Sequence, residues 1–267
     1  MGTLVCFHAH PDDESIATAG TMAKAAAAGH RVVLVVATRG EQGEPVPGVL
    51  EPEEQLGVRR TAETYASAEA LGVARVEFLG YVDSGMVDTP TSKLPWCFWQ
   101  ADVDQAAHRL AAILWEEEPD ALTIYDDNGG YGHPDHIQVH RVGRGAAQLV
   151  NVSQVFESTM NRDYLRQGMQ AQVEAGNMAP EDLPDMDGDH GFGKPEAEIT
   201  HRVDVTGLLG QKRAAMRCHR SQMADDHFLL GMPDEQFAFG MGVEWYIAEG
   251  PPAPPGSLAA ELFELTG

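Results

Sequence analysis

Short apolar runs alternate with longer amphipathic stretches through the N-terminal and central parts of the chain. The apolar runs, which predict buried strands, are Thr3–Phe7, Arg31–Ala37, Val76–Gly80, Ala121–Tyr125 and Gln154–Ser158. The stretches with helical periodicity are Ser15–Ala28, Glu53–Leu71, Asp102–Glu117 and Ile137–Val150. Strands that alternate with helices are typical of a parallel sheet covered on both faces. The pattern therefore predicts an α/β protein: a single-domain, Rossmann-like three-layer fold with a mostly parallel sheet.

Polar residues are concentrated directly after the first apolar run, in the segment His8-Ala-His10-Pro-Asp12-Asp13-Glu14. Its loop carries one imidazole and three carboxyl groups between His10 and Glu14. Carboxylates this close repel each other, and a bound divalent cation removes that repulsion. In open α/β sheets, ligands bind at the carboxyl ends of the strands. The segment therefore predicts a metal site at that edge of the sheet.

A second polar segment follows the fourth apolar run and reads Asp126-Asp127-Asn128-Gly-Gly-Tyr131-Gly-His133-Pro-Asp135-His136. Because both segments follow strands, they can open on the same edge of the sheet. His10, Asp13 and His136 would then supply two imidazoles and one carboxylate. Such a set leaves a coordination position open for water, as catalytic zinc sites do.

The two segments resemble the paired motifs of the PIG-L/LmbE-like family of zinc-dependent de-N-acetylases, which includes enzymes of mycothiol metabolism. The likeness extends from about Leu4 to about Trp245. Its further parts are Arg60-Thr-Ala-Glu63, Leu79-Gly-Tyr-Val-Asp83-Ser-Gly85, and the spacing of Lys212, Ala215, His219, Ser221 and Gln222 in a late helix. The resemblance implies the same α/β fold, with the metal site at the carboxyl ends of the strands.

The resemblance also implies roles at the metal. His10, Asp13 and His136 are expected to bind Zn²⁺, with Fe²⁺ as the alternative ion for the same ligands. A divalent cation there lowers the pKa of water and polarises an amide carbonyl. Asp12, adjacent to a ligand but free of the metal, is expected to be the general base.

Five more residues receive roles from the resemblance. Protonated His133 is expected to stabilise the oxyanion or to protonate the leaving amine, and Asp135 is expected to orient that imidazole. Tyr131 would supply a further hydrogen bond. Arg60 and Asp83 are expected to contact the substrate, since a guanidinium fork suits phosphate, carboxylate or diol groups and a carboxylate accepts from sugar hydroxyls.

Several neighbouring polar residues leave a structural and a functional interpretation open. His140 lies four residues after His136 and could be a ligand by spacing, although a packed residue is preferred. We expect His8 to be a buried, hydrogen-bonded imidazole and His219 to be packed in the core or behind the residues of the site. Glu14 is expected either to cap a helix or to orient a loop amide.

Charge and cysteine content limit the classes of partner. The net charge of −23, from 41 acidic and 18 basic residues, repels nucleic acids and anionic lipids. No run is long and apolar enough to span a membrane, and no basic segment precedes the first strand, so no signal peptide is expected. Three cysteines without paired spacing are typical of a cytoplasmic protein. The expected partner is a small N-acyl amino-sugar-like substrate, with neither nucleic acid nor membrane.

Two segments interrupt the alternation of strands and helices. Residues 1–250 are predicted to form the LmbE-like deacetylase domain, in which 176–198 is an acidic loop and a candidate lid, with an inert insertion as the alternative. Residues 251–267 are predicted to be a proline-rich connector and a short C-terminal helix. That helix could pack on the body or on a neighbouring subunit, which leaves a homo-oligomer open.

The sequence thus predicts a metal-dependent hydrolase that removes an N-acetyl, or another N-acyl, group from an amino sugar or related small molecule. The alternative is an amidase of the mycothiol S-conjugate type, which removes a larger acyl group. A non-haem Fe(II) oxygenase shares the ligand types, but it needs no spare acid such as Asp12 and is expected on a β-rich fold. A non-catalytic metal or sugar binder and a nucleotide-dependent oxidoreductase are less favoured.

Overall fold

The computed structural model describes residues 1–176, 179–183, 186, 191–248 and 262. The strands in this part of the chain are β1 (Thr3–His8), β2 (Arg31–Val36), β3 (Arg75–Phe78), β4 (Ala121–Tyr125), β5 (Gln154–Thr159), β6 (His201–Asp204) and β7 (Val243–Ala248). The helices are α1 (Asp13–Ala17), α2 (Ala19–Ala27), α3 (Leu56–Leu71), α4 (Val103–Glu117), α5 (Pro134–Val150), α6 (Arg162–Glu174), α7 (Leu209–Cys218), α8 (Phe228–Gly231) and α9 (Asp234–Met241).

The described strands form one seven-stranded sheet in the order β3-β2-β1-β4-β5-β7-β6. The first five strands of the chain are parallel, whereas β7 is antiparallel to both β5 and β6. The predicted α/β class and mostly parallel sheet are therefore confirmed, and all five predicted strands are present. The antiparallel pair at one edge was not predicted.

Each face of the sheet is covered by helices, because the parallel strands are apolar on both sides. In β1, Val5 and Phe7 point into one hydrophobic cluster, which contains residues of α4 and α5. Leu4 and Cys6 point the other way, into a cluster with residues of α2, α3 and α7. This alternation follows from the two-residue period of a strand. The three layers hold the carboxyl ends of β1 and β4 side by side.

The predicted helix over Ser15–Ala28 is interrupted at Thr18, which adopts φ −134° and ψ 7° between α1 and α2. The Thr18 hydroxyl is buried and lies 2.8 Å from His8 Nε2. This contact ties the residue to the end of β1. The break was not predicted, because it depends on a tertiary hydrogen bond.

A buried ion pair joins the antiparallel edge to the first helices. Lys212 Nζ on α7 donates to Glu244 Oε1 on β7 at 2.6 Å, and both side chains are almost fully buried. The same carboxylate accepts the main-chain N–H groups of Gly20 and Thr21, each at 2.8 Å. Glu244 therefore caps the beginning of α2.

Two predicted segments lie outside the described residues, wholly or in part. The connector and C-terminal helix over 251–267 fall there except for Leu262, which is buried. The acidic loop 176–198 is described only at 176, 179–183, 186 and 191–198. None of the helices in the described part of the chain has the length and apolar character needed to cross a bilayer.

The buried pair gives a stability prediction. We expect Lys212→Met to lower the free energy of unfolding by about 3–5 kcal/mol, because Glu244 would be left buried without its cation. Arg166→Met is the matched control: its pair with Asp163 is exposed and should be worth less than about 1 kcal/mol. Urea denaturation measures both variants. Equal losses in the two would contradict the prediction.

Candidate metal centre and active site

The two polar segments lie next to each other because their strands do. β1 pairs with β4 in parallel, with Leu4 opposite Ala121, so the loops after His8 and Tyr125 leave the same edge of the sheet. His133 is the N-cap of α5, and its Nδ1 accepts the main-chain N–H of Asp135 at 3.1 Å. The chain therefore brings both segments together at the carboxyl ends of the strands.

Three buried imidazoles face one another at this edge. Ring nitrogens of His10, His133 and His136 all lie within 4.8 Å of one another. Asp13 belongs to the same cluster, since its carboxylate oxygens lie 3.5 Å from His10 Nδ1 and 3.4 Å from His136 Nε2. The three predicted ligands are thus in mutual contact, and His133 lies within reach of them.

The donor atoms of this cluster fit a divalent cation. His136 Nδ1 donates to the carbonyl oxygen of Gly129 at 3.2 Å, which leaves the lone pair on Nε2. That Nε2 is buried and has no hydrogen-bond partner among the described residues. A buried nitrogen of this kind needs an explanation, and coordination of a metal is one that matches the carboxylate beside it.

Two carboxylates, those of Asp135 and Asp83, orient the His10 ring. Its Nε2 lies 3.2 Å from Asp135 and 3.4 Å from Asp83, so the proton belongs on Nε2. The other nitrogen, Nδ1, then faces Asp13 as a free lone pair. A carboxylate that holds the far nitrogen of a metal-binding histidine is a common arrangement in metal sites.

The placement of Asp135 differs from the expectation that it orients His133. Its carboxylate accepts from the Ser84 hydroxyl and from the Ser84 main-chain N–H at 2.9 Å, in addition to its contact with His10. Only its main-chain N–H reaches His133. The reason is the helix start: an N-cap side chain binds the N–H of the second helical residue, whose own carboxylate is free to turn elsewhere.

The start of α5 sets the tautomer of His133. Burial lowers the pKa of His133 to about 3. Because Nδ1 accepts from Asp135, the remaining proton lies on Nε2, which is a hydrogen-bond donor. This nitrogen provides a donor beside the cluster, and the expected protonation of His133 during the reaction stays a prediction.

Asp12 has an unusual backbone conformation, with φ +102°. Its main-chain N–H donates to Glu14 Oε2 at 3.0 Å, and its carbonyl accepts from the Ser15 hydroxyl at 2.7 Å. Its side chain is 18% exposed and lies 3.1 Å from the Arg60 guanidinium. Burial raises the pKa of Asp12 to about 6, although Arg60 opposes the shift. A positive φ at a non-glycine residue costs roughly 1–3 kcal/mol, and such strain is concentrated at functional sites.

Arg60 and Asp83 lie behind the cluster. Arg60 is 4% exposed and donates to the carbonyl oxygens of Gly40, at 2.9 Å, and Pro11. It therefore supports the Asp12 loop from inside the protein, and the expected contact with a substrate stays a prediction. Asp83 is also buried and accepts the main-chain N–H of Gly85 at 2.8 Å, beside His10.

A buried polar cluster supports the Asp12 loop. Glu14 accepts from Ser67 Oγ at 2.5 Å and lies 2.6 Å from His219 Nε2, while its second oxygen holds the N–H of Asp12. The loop-amide alternative predicted for Glu14 is confirmed. Although burial lowers it, contact with Glu14 raises the pKa of His219 overall. His219 is fully buried behind the Asp12 loop, which confirms the expected packing.

Two further histidines near the site, His8 and His140, have structural partners. His8 lies 2.7 Å from the Tyr125 hydroxyl and 2.8 Å from Thr18, which confirms the buried, hydrogen-bonded imidazole. His140 Nδ1 donates to the Tyr125 carbonyl at 3.0 Å, so the preferred packing interpretation is confirmed.

Tyr131 and part of the acidic loop form the rim of the site. Tyr131 is 37% exposed, and its ring centroid lies 5.0 Å from that of His136 and 6.4 Å from that of Phe192. Gly193 N–H donates to the Gly130 carbonyl at 2.7 Å. The described end of the acidic loop therefore lies against the second polar segment.

An apolar cavity of about 270 Å³ adjoins the cluster, with Asp13 and His136 on its wall. The cavity was not predicted from the sequence, because its walls come from separate parts of the chain. It is lined by α1, α6, α9 and β7 as well as by the second polar segment.

The sequence is similar to those of known proteins. The family described as PIG-L, GlcNAc-PI de-N-acetylase, matches residues 5–147. A protein named 1D-myo-inositol 2-acetamido-2-deoxy-alpha-D-glucopyranoside deacetylase, from Acidothermus cellulolyticus, is 41% identical over 260 residues. The match covers 92% of this chain and 88% of that protein.

Solved structures share the fold. N,N'-diacetylchitobiose deacetylase from Pyrococcus horikoshii has a TM-score of 0.60 at 24% identity, over 92% of this chain and 83% of its own. GalB, the 4-carboxy-2-hydroxymuconate hydratase from Pseudomonas putida, has a TM-score of 0.58 at 18% identity, over 96% and 99%. At these identities the likeness concerns the fold alone, and a deacetylase and a hydratase on one fold show that architecture does not determine the reaction.

The cluster gives a metal-binding prediction. We expect His136→Asn to weaken Zn²⁺ binding by more than about 100-fold, because loss of a ligand should exceed the effect of losing an outer partner. His140→Asn, one turn further along α5, should change the affinity less than about threefold, since its imidazole faces the Tyr125 carbonyl. Competition with a chelator measures both. Equal weakening in the two variants would exclude His136 as a ligand.

Proposed function

The chain belongs to the family described as PIG-L, GlcNAc-PI de-N-acetylase, and we propose that it is a metal-dependent hydrolase of N-acetylated or otherwise N-acylated amino sugars. Relatives about 40% identical over most of their length carry the name of a deacetylase of an inositol-linked acetamido sugar. In this reaction water adds to the acyl carbon and the C–N bond breaks. The products are a carboxylate and a free amine.

One observation carries the proposal: a further acid, Asp12, is held by Arg60 beside the candidate ligand cluster. We assign His10, Asp13 and His136 as the ligands and Zn²⁺ as the preferred ion, with Fe²⁺ as the alternative. The bound ion would polarise the acyl carbonyl and lower the pKa of a water molecule.

Asp12 is assigned as the general base. The Arg60 guanidinium, 3.1 Å away, holds its carboxylate beside the cluster and apart from the ligand Asp13. Asp12 accepts a proton from the attacking water and can pass it to the leaving amine.

His133 and Tyr131 are assigned to the oxyanion. His133 lies in the cluster but is not one of the three assigned ligands, so its Nε2–H is available as a donor. The Asp135 main-chain N–H fixes its tautomer. Tyr131, at the exposed rim, supplies its hydroxyl as the second donor to the oxyanion. Asp135, Asp83 and Arg60 are assigned to positioning: the first two hold His10, and Arg60 holds Asp12.

A non-haem Fe(II) oxygenase and a non-catalytic binder are the rival functions. An oxygenase has no use for a base held beside the ligands, whereas Asp12 is kept there at the cost of backbone strain. A binder has no use for it either. The strained acid therefore favours hydrolysis over both.

We also propose that the enzyme works in the reducing cytoplasm. Cys6, Cys97 and Cys218 are all free thiols. Burial raises the pKa of Cys6 to about 12, so this thiol is not reactive.

Release of free amine tests the proposed function. The chain is stripped with a chelator and reloaded with Zn²⁺ or Fe²⁺, then given N-acetylglucosamine, N-acetylglucosaminyl-inositol and a mycothiol S-conjugate. We expect no turnover without metal and turnover after reloading, because the cation activates both water and carbonyl. Stoichiometric metal with no amine released from any substrate would contradict the hydrolase.

The base assignment is tested by Asp12→Asn. Asparagine tolerates positive φ better than most residues, so the loop should keep its conformation. We expect kcat to fall by about 10²–10⁴-fold, the usual contribution of a general base, while one equivalent of Zn²⁺ remains bound. Loss of metal together with activity would instead make Asp12 a ligand or a scaffold residue.

A further inference from the structure

The cavity beside the ligand cluster is continuous with the reaction site. Asp13 and His136 form one end of its wall. Most of the remaining wall is apolar and includes Ile16, Met160, Leu165, Met241, Val243 and Trp245. An apolar cavity next to the metal ligands indicates that an apolar group of the substrate binds there.

Several polar side chains of the cavity wall are already engaged within the protein. Lys212 and Glu244 bind each other at 2.6 Å, and Thr159 Oγ1 donates to Asp126 at 2.5 Å. Asn161 Oδ1 accepts the main-chain N–H of Tyr164 at 2.9 Å. A sugar placed here would lose water from its hydroxyls and gain partners for only a few of them, which costs free energy.

The residues packed around His10, which are not on the cavity wall, are polar. Around His10, the carboxylate of Asp83 accepts the Gln42 main-chain N–H at 3.1 Å, and Asp12 and Arg60 lie nearby. The amide of a bound substrate has two arms, the acyl chain and the sugar nitrogen, which leave the carbonyl carbon in different directions. The acyl arm matches the apolar cavity, and the sugar nitrogen would leave the carbonyl carbon away from it.

We propose that this cavity is a subsite for an apolar N-acyl group larger than acetyl. The inference rests on the proposed function and specifies its substrate class. An apolar cavity of roughly 150 Å³ is enough to hold benzene, so one of about 270 Å³ accommodates a chain of about six to eight carbons. An acetyl group would leave most of it unfilled.

A series of N-acyl glucosamines tests the subsite in the metal-loaded protein. Acetyl, butanoyl, hexanoyl and octanoyl derivatives are compared by kcat/KM. We expect about a fourfold rise for each added methylene until the cavity is full, because burial of a methylene is worth this factor in apolar transfer. A value that falls steadily from acetyl onward would overturn the subsite and leave the hydrolase intact.

Gly240 offers a way to fill the cavity. It lies on the cavity wall in α9, and a Cβ added there meets no atom within 4 Å among the described residues. Leucine also favours a helix more than glycine does, so Gly240→Leu should fold. We expect it to lower the ratio of octanoyl to acetyl kcat/KM at least about tenfold, since the chain loses several methylenes of burial.

The matched control is Gly210→Leu. Gly210 is likewise a helical glycine with open space at its Cβ, but it is exposed on α7 and away from the cavity wall. The octanoyl-to-acetyl ratio should be unchanged there. Equal changes in the two variants would overturn the proposal.

A binding measurement separates the subsite from catalysis. Octanoate, the acid product of the longest substrate, should bind more tightly than acetate in calorimetry, and Gly240→Leu should abolish that difference. Octanoate binding without release of amine from any acyl sugar would support the subsite and overturn the proposed function. Equal affinity for octanoate and acetate would overturn the subsite.

Discussion

The conformation of Asp12 is the constraint around which the site is built. Its φ of +102° is unfavourable for an aspartate and is maintained only by its surroundings. Glu14 holds its N–H and Arg60 holds its carboxylate, while His219 and Ser67 hold Glu14 in turn. These residues come from α1, α3 and the end of α7, so three elements remote in sequence are needed to place one side chain.

The sequence predicted the parallel half of the sheet well, because buried parallel strands are apolar on both faces and read as continuous runs. The antiparallel edge escaped prediction for a physical reason. β6 has only four residues and exposes Arg202 and Asp204, while β7 carries Glu244 inside the strand. A buried acid in a strand needs a partner such as Lys212. That pairing is a tertiary contact, so no local sequence pattern predicts it.

The sequence indicated which loops carry polar residues, but it did not indicate which contacts their side chains make. Motifs located the polar loops, and the parallel strands explain why these loops meet. The direction of a side chain is decided later, by caps and neighbours: Asp135 turns to Ser84, and Arg60 turns inward to Asp12. The Arg60–Glu63 motif and the late-helix motif are in contact, because Glu63 accepts the Ser221 main-chain N–H at 2.8 Å. Such contacts depend on the assembled fold.

The cap on α2 has a consequence for folding during synthesis on the ribosome. Glu244 binds the N–H of Gly20 across 224 positions of the chain. Since synthesis proceeds from the N-terminus, the start of α2 stays uncapped until Glu244 has emerged. The long sequence separation also adds loop-closure entropy to this step. All five parallel strands, β1 to β5, are thus synthesised before the helix that follows the first motif receives its cap.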